Sequence, residues 1–308
     1  MPLALPPLSR RRQLSLALVI LFAALIALVR YLHWDDRTLL WLKEQQMPAA
    51  ERAASIWLPG YSASIEGKPM AGLEDDEASD LAYSPLTGTL FTVTGKLPML
   101  VELSRTGEVL RRIALKGFTN PEGVAVLENG MIALTDERQR NLSIFELDPL
   151  TRELDLADAR PLDLGFPDAG NKGFEGIAWD PAQQRLLLGK EREPTAMFSL
   201  GSDGQRLLEQ ALRPLPSYGL GLRNLSALSV DPRTGHILAL SAQSRLLLEL
   251  DERGEPVSFI SLIGGQSGLE SRIPRAEGVA MDEDGTIYMV SEPNLFYVFR
   301  KDEGTPRG

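Results

Sequence analysis

The stretch of residues 120–136, NPEGVAVLENGMIALTD, decides the fold of this chain. It predicts a short apolar strand over residues 123–126, a tight turn at Asn129 and Gly130, and a second strand over residues 131–135. Glu122 stands where the first strand begins. The segment is therefore predicted to be a β-hairpin with a carboxylate at its entrance.

Four other segments repeat this pattern of length, apolar positions and turn. They are DLAYSPLTGTLFTVTG from Asp80, EGIAWDPAQQRLLLGKE from Glu175, SALSVDPRTGHILALSA from Ser226 and EGVAMDEDGTIYMVSE from Glu277. With Glu122 included, the start-to-start spacings are 42, 53, 51 and 51 residues. A period of this length indicates a repeat architecture, in which each repeat is one structural unit.

Each repeat continues with a third strand, and most have a fourth. The strands expected after the hairpins of the first four repeats are residues 99–103 and 109–115, 142–147, 197–200 and 207–212, and 246–250 and 257–262. Four antiparallel strands per repeat form one blade of a β-propeller. The predicted fold class is therefore an all-β, five-bladed propeller, and the alternative of six blades requires extra structure within residues 155–164.

The last repeat has no apolar fourth strand. After its hairpin it has a third strand over residues 295–300 and then a charged tail. Residues 62–70 precede the first repeat and have no other place to pair. We expect this N-terminal segment to become the outer strand of the last blade, because that closure removes two exposed sheet edges.

The N-terminus has the pattern of a membrane segment. Arg10, Arg11 and Arg12 precede an unbroken apolar run over residues 14–29, and Arg30 follows it. These flanks and this length predict a membrane helix with its N-terminus inside the cell. The alternative is a cleaved signal peptide, although no convincing small-residue cleavage site precedes the polar residues.

The predicted domains follow from these two patterns. Residues 1–34 are a cytoplasmic basic stub and transmembrane signal anchor, 35–60 a juxtamembrane helical linker, 61–303 the propeller, and 304–308 a tail. With the N-terminus inside the cell, the propeller is expected on the other side of the membrane.

The composition and charge of the chain exclude several classes of function. The chain has no cysteine, which excludes disulfides, thiolate catalysis and Cys-ligated zinc. Residues 1–34 hold four of the 32 basic residues and none of the 42 acidic ones, so the remainder has a formal net charge of −14. An acidic domain argues against nucleic-acid binding, because phosphates require a basic surface. It is compatible with cation binding.

Carboxylates recur where the first strands begin. The first strand of a blade is innermost, so its first residue faces one mouth of the central channel. This placement predicts a ring of Asp80, Glu122, Glu175, Ser226 and Glu277, with Asp136, Glu137, Glu191 and Glu292 above it at the ends of the second strands. Converging carboxylates repel one another unless a cation compensates them. Because oxygen-only ligands suit Ca²⁺, we predict one Ca²⁺ near this mouth; the alternative is that the glutamates bond backbone N–H groups of neighbouring blades.

Histidines argue against a hydrolytic triad at this mouth. His33 lies at the membrane boundary, and His236 lies in a turn on the opposite face of the ring. A Ser-His-Asp arrangement therefore has no histidine to use. A metal-assisted lactonase or esterase that relies on Glu and Asp alone remains the enzymatic alternative.

The repeated E-G-[VI]-A segments resemble the SdiA-regulated, YjiK-like family of bacterial proteins. The resemblance covers about residues 54–301 and is carried by NPEGVAV, GFEGIAWDP, LSALSVDPRTGHILALS and AEGVAMDEDGTIYMVSEPNLFYVF. It implies a five-bladed propeller, distantly similar to NHL-repeat proteins and often behind a transmembrane segment, with a calcium site in at least one member. The calcium ligands that it implies here are Glu122, Glu175 and Glu277, with Asp80 as a fourth, while Ser226 leaves one side of the ring without a carboxylate.

The predicted function is a membrane-anchored, periplasm-facing, calcium-binding propeller that serves as a binding or interaction module. Its partners would be the membrane, through the N-terminal helix, and a protein or small-molecule ligand at the channel mouth. The alternatives are a metal-dependent hydrolase of lactones or phosphoesters, and a purely structural envelope scaffold. Fold alone does not choose between them, because propellers host many unrelated functions.

Overall fold

The computed structural model describes residues 9–31, 34–165, 173–192, 194–208, 211–216 and 222–301. The chain divides into two units, Met1–Gln46 and Met47–Gly308. The first unit contains α1 (Arg10–Tyr31) and α2 (Trp34–Gln46). Within α1, Arg10–Val29 is long and apolar enough to cross a membrane, and a signal sequence near an N-terminus has the same properties.

The second unit begins with a short helix, α3 (Ala49–Ala53), and continues as β-structure. Its first three blades each contain four antiparallel strands. Blade 1 is β2 (Ala78–Ser84), β3 (Thr89–Thr94), β4 (Met99–Leu103) and β5 (Val109–Lys116); blade 2 is β6 (Pro121–Val126), β7 (Met131–Asp136), β8 (Asn141–Glu146) and β10 (Leu162–Asp163); blade 3 is β11 (Phe174–Asp180), β12 (Arg185–Lys190), β13 (Ala196–Gly201) and β14 (Arg213–Pro214).

The last two blades complete the ring. Blade 4 is β15 (Ala227–Val230), β16 (Ile237–Ser241), β17 (Leu246–Leu250) and β18 (Pro256–Ser261), and blade 5 is β19 (Arg275–Met281), β20 (Ile287–Glu292), β21 (Leu295–Lys301) and β1 (Tyr61–Pro69). The five-bladed fold predicted from the sequence period is confirmed.

Strand β1 closes the ring as expected. It pairs with β21 in antiparallel register, from Tyr61 opposite Lys301 to Pro69 opposite Leu295. Blade 5 is thus built from both ends of the propeller sequence. The pairing covers the edge of β21, which would otherwise be open to pairing with another chain.

The segment 155–164 does not form a sixth blade. Strand β9 (Glu153–Asp155) adds to blade 1 by parallel pairing with β5, and a short 3-10 turn (Leu156–Asp158) leads on toward β10. Strand β10 contains only two residues and serves as the outer strand of blade 2. The long connection after β8 therefore covers two neighbouring blade edges.

The outer strand of blade 3 differs from the expected residues 207–212. Leu207 makes only an isolated bridge with Ser202, and the paired strand is β14, at Arg213–Pro214. Leu207 and Leu212 pack on the core, whereas Leu208 is 59% exposed. The apolar residues of this segment pack on the core one by one and do not alternate as in a strand. The prediction from the sequence therefore placed the strand too early in the chain. Residues 209 and 210 lie outside the described residues.

The core lies between neighbouring blades. Four clusters of buried side chains join blades 4 and 5, blades 5 and 1, blades 1 and 2, and blades 2 and 3. For example, Val101 and Leu103 of blade 1 pack with Phe296 and Val298 of blade 5, and all four are fully buried. This packing fixes the innermost strands around the channel, and with them the residues at its two mouths.

Candidate cation site

A glycine follows each of the three glutamates that begin an innermost strand. These pairs are Glu122-Gly123, Glu175-Gly176 and Glu277-Gly278. A Cβ on Gly176 would lie 2.6 Å from the Cα of Ala227, and one on Gly278 would lie 2.5 Å from the carbonyl carbon of Asp80. No side chain fits at these distances, so glycine lets the innermost strands of adjacent blades approach closely. The close approach brings the preceding glutamates together.

The glutamates meet in a small polar pocket at the channel mouth. Its volume is about 40 Å³, and it is lined by five glutamates, two serines and one arginine: Glu122, Glu137, Glu175, Glu277, Glu292, Ser79, Ser226 and Arg275. Three of the four expected ligands, Glu122, Glu175 and Glu277, are therefore brought to one place. The volume is enough for an ion or a water molecule.

Asp80 lies deeper than the ring position expected for it. A register shift between Ser79 and Ala82 and a left-handed backbone at Asp80 (φ 49°) turn its side chain inward. Its Oδ1 accepts from the N–H of Leu81 at 2.9 Å, and its Oδ2 accepts from the N–H groups of Val124 at 3.0 Å and Ile177 at 3.2 Å. Asp80 thus joins the innermost strands of blades 1, 2 and 3, and Ser79 lines the pocket in its place. The alternative role considered for the glutamates, bonding backbone N–H groups, belongs to this aspartate.

Four of the five pocket glutamates, all but Glu175, have partners among the described residues. Arg275 Nε lies 2.5 Å from Glu277 Oε1, and its Nη1 lies 2.6 Å from Glu292 Oε2. Asn120 donates from Nδ2 to Glu122 Oε1 at 2.8 Å. On the blade 5 side of the pocket, two glutamates therefore share one arginine.

A second group of carboxylates joins two residues of the pocket, Glu137 and Glu175, to Glu191 beside it. Glu137, Glu175 and Glu191 each offer an oxygen atom, and these atoms lie within 4.8 Å of one another. Glu137 accepts from the N–H of Gly173 at 2.9 Å, and Glu191 Oε1 lies 2.6 Å from Arg192 Nη2. Glu175 Oε2 and Glu191 Oε2 are buried and have no hydrogen-bond partner in the described part of the chain. Two acceptors are therefore left to be satisfied by something other than these residues.

The glutamates at this mouth also have raised pKa values. Burial raises the pKa of Glu175 well above its ordinary value, and the charges of Glu277, Glu191, Glu122 and Glu137 raise it further. For the same main reason, burial, the pKa of Glu122 is raised to about 8 and that of Glu277 to about 7. The carboxylates are thus destabilised in their charged form when no cation is present.

The donor set fits a hard metal ion. All the available ligands are oxygen atoms, which Ca²⁺ prefers, and the buried Oε2 atoms of Glu175 and Glu191 lack partners that an ion would supply. Sequence reasoning placed Glu137 and Glu191 above the mouth but did not include them among the ligands. The signal that identifies them is a glutamate directly after the second strand of a blade.

Histidine lies elsewhere in the propeller. His236 Nδ1 is 2.7 Å from Glu249 Oε1, in the turn region between β15 and β16, and does not line the pocket. The other histidine, His33, lies outside the described residues.

Comparison with known proteins gives one family and a structural likeness. A family model described as SdiA-regulated matches residues 53–300. A chain in the crystal structure of a nidogen/laminin complex is 18% identical, with a TM-score of 0.47, over 70% of this chain and 72% of that chain.

Proposed function

The chain belongs to the SdiA-regulated family, and from that premise we propose that it is a cation-binding propeller module with one Ca²⁺ at the channel mouth. Glu175, Glu137 and Glu191 form the centre of the proposed site. Glu122 and Glu277 line the same pocket as Glu137 and Glu175, and Glu191 lies next to these two. The bound ion would neutralise the converging carboxylates and hold blades 2 and 3 together.

One observation carries the proposal. Glu175 Oε2 and Glu191 Oε2 are buried without a hydrogen-bond partner among the described residues, in a group whose oxygens lie within 4.8 Å of one another. Leaving a charged oxygen buried and unpaired costs on the order of 1–3 kcal/mol or more of folding free energy for each group. A divalent cation removes this cost for both at once.

The size of the pocket favours ion binding over chemistry on an organic substrate. Its volume of about 40 Å³ is far below the roughly 300–1,000 Å³ of small-molecule sites. The hydrolase alternative has no comparable support at this mouth. We therefore assign the pocket to a metal ion that stabilises the fold or presents a surface to a partner.

Membrane anchoring is part of the same proposal. The apolar helix α1 begins with Arg10, Arg11 and Arg12, and a basic flank favours the cytoplasmic side. With α1 retained as a signal anchor, the propeller lies outside the cytoplasm, on the periplasmic side of a bacterial inner membrane. Size comparison of the mature protein with the full-length chain tests retention, and a cleaved N-terminus would contradict it.

The test of the cation site is thermal unfolding of the full chain in detergent. The protein is treated with excess chelator and then supplied with Ca²⁺ or Mg²⁺. A ligand that binds only the native state stabilises it by about 2.7 kcal/mol at a hundredfold excess over its dissociation constant. We expect a rise in melting temperature with Ca²⁺ that exceeds the rise with Mg²⁺.

Two variants locate the effect. Glu175→Gln should remove the rise, while Glu146→Gln, at an exposed position at the end of β8, should retain it. An equal Ca²⁺ response in both variants would remove the ion from this pocket.

A further inference from the structure

The opposite mouth of the channel opens into a larger, mainly apolar cavity. Its volume is about 620 Å³, within the range of small-molecule sites. Every blade contributes to its lining through the far end of the innermost strand, for example with Leu81, Ala125, Trp179, Val230 and Met281. The cavity is therefore a feature of the whole ring.

The two mouths are separate sites. Ser79 lines the acidic pocket and Leu81 lines the apolar cavity, while Asp80, between them, is fully buried and bonds the innermost strands of blades 2 and 3. Along blade 2, Glu122 lines the acidic pocket and the lining of the cavity begins at Ala125, about 10 Å further along the strand at about 3.3 Å per residue. A ligand in the apolar cavity would thus not touch the carboxylates.

The wall of the cavity is apolar. Trp179 lines the cavity and also packs against the core between blades 2 and 3. Its indole Nε1 is buried, so it does not face the open space of the cavity. Small side chains at Ala82, Ala178 and Ser229 also line the cavity, so the wall offers a guest apolar contact.

The rim selects against anions. Glu128 and Glu283 lie at the cavity and are exposed, and Glu283 is only loosely paired, 3.7 Å from Arg105. Pro85, Pro181 and Pro232 stand at the turns around the opening and restrict its backbone. A preformed apolar cavity with acidic residues at its edge suits an uncharged guest.

We propose that this cavity is a second binding site, for a compact, uncharged, mostly apolar molecule. The molecule would fill the space between the innermost strands. The propeller would then bind an ion at one mouth and an apolar ligand at the other.

The test is photolabelling of the full chain in lipid nanodiscs with benzophenone, an apolar aromatic ketone. Adducts are mapped by mass spectrometry to Met281, a cavity residue that is 4% exposed, so probe dissolved in the lipid does not affect the readout. We expect labelling at Met281 to saturate with probe concentration. Non-saturating labelling at Met281, or none, would overturn the proposal.

The location is tested by filling the cavity. Ser229→Trp should reduce labelling at Met281 at least about tenfold, because the large side chain occupies the space that the probe needs. Glu175→Gln, at the other mouth, should leave it unchanged, which separates this proposal from that of the cation site. Undiminished labelling in a folded Ser229→Trp variant would overturn the proposal; if that variant does not fold, the saturation of labelling at Met281 in the wild-type chain still decides it.

Discussion

Two buried glutamates of the propeller differ in how their oxygens are satisfied. Glu249, on β17, is fully buried and bonds the N–H groups of Ile56 at 2.7 Å and Trp57 at 3.1 Å, the hydroxyl of Ser258 at 2.5 Å and Nδ1 of His236 at 2.7 Å. Glu175, at the channel mouth, has a buried oxygen without a partner among the described residues and carboxylates as neighbours.

Burial of a carboxylate therefore does not by itself indicate a binding site. Glu249 is satisfied within the protein, and its bonds hold the segment that precedes the propeller against blade 4. Glu175 is left unsatisfied by the protein, so its charge requires a proton or a cation. Glu249 therefore has a structural role, and Glu175 has the proposed binding role.

The largest effect is expected from Glu249→Ala. The substitution leaves buried backbone N–H groups at Ile56 and Trp57 and the Ser258 hydroxyl without their acceptor, which should cost about 3–5 kcal/mol of unfolding free energy. Urea denaturation measures the loss, and it should be the same with chelator or with Ca²⁺. A loss below about 1 kcal/mol would contradict the structural role of Glu249 and, with it, the contrast with Glu175.

The next effect concerns the glycine that brings Glu175 to its neighbours. Gly176→Ala would place a Cβ 2.6 Å from a backbone atom of Ala227, which cannot move without shifting blade 4. Overpacking of this kind costs about 1–3 kcal/mol and should also weaken Ca²⁺ stabilisation. Unchanged stability in urea denaturation would show that the innermost strands are not in tight contact.

A smaller effect of opposite sign is expected from Glu175→Gln in the presence of chelator. Glutamine needs neither a proton nor a cation at this buried position, so the substitution should stabilise the ion-free protein by about 1 kcal/mol. The exposed control Glu146→Gln should change its stability by less than about 0.5 kcal/mol. Destabilisation by Glu175→Gln would mean that the charged carboxylate is satisfied without an ion.

The smallest effect is a pH dependence at the Glu249 site. Burial lowers the pKa of His236, but the hydrogen bond to Glu249 and the charges of Glu249, Asp251 and Asp231 outweigh it and raise the pKa above 6.5. The stabilisation from protonated His236 is therefore fully present below about pH 6.5 and lost as the pH rises through the raised pKa of the folded state.

The check is urea denaturation at several pH values from 5 to 8. The wild-type chain should lose more stability across the upper part of this range than His236→Gln does. Parallel pH profiles of the two proteins would contradict the assigned coupling of His236 to Glu249.

Much of the fold was predictable because the repeat period and the apolar pattern are local. The hairpin of residues 120–136 gives the first two strands of a blade. The unpaired segment before the first repeat predicts that β1 closes the ring. Glu122, Glu175 and Glu277 meet as expected because they occupy equivalent positions in three innermost strands.

Other features depend on contacts that the sequence pattern does not contain. The register shift that turns Asp80 inward is a backbone event at Ser79–Ala82. The bond between Glu249 and the N–H of Ile56 joins residues 193 positions apart. The distance of Glu175 from Glu137 and Glu191, and the apolar cavity at the other mouth, both follow from how closely the blades pack.

We propose that the unsatisfied carboxylates around Glu175 bind one Ca²⁺, and the decisive experiment is calorimetric titration of the chelator-treated full chain with Ca²⁺. We expect saturable binding of one ion per chain that is lost in the double variant Glu175→Gln, Glu191→Gln and retained in Glu146→Gln. Absence of binding, or equal affinity in the double variant and the wild-type chain, would contradict it.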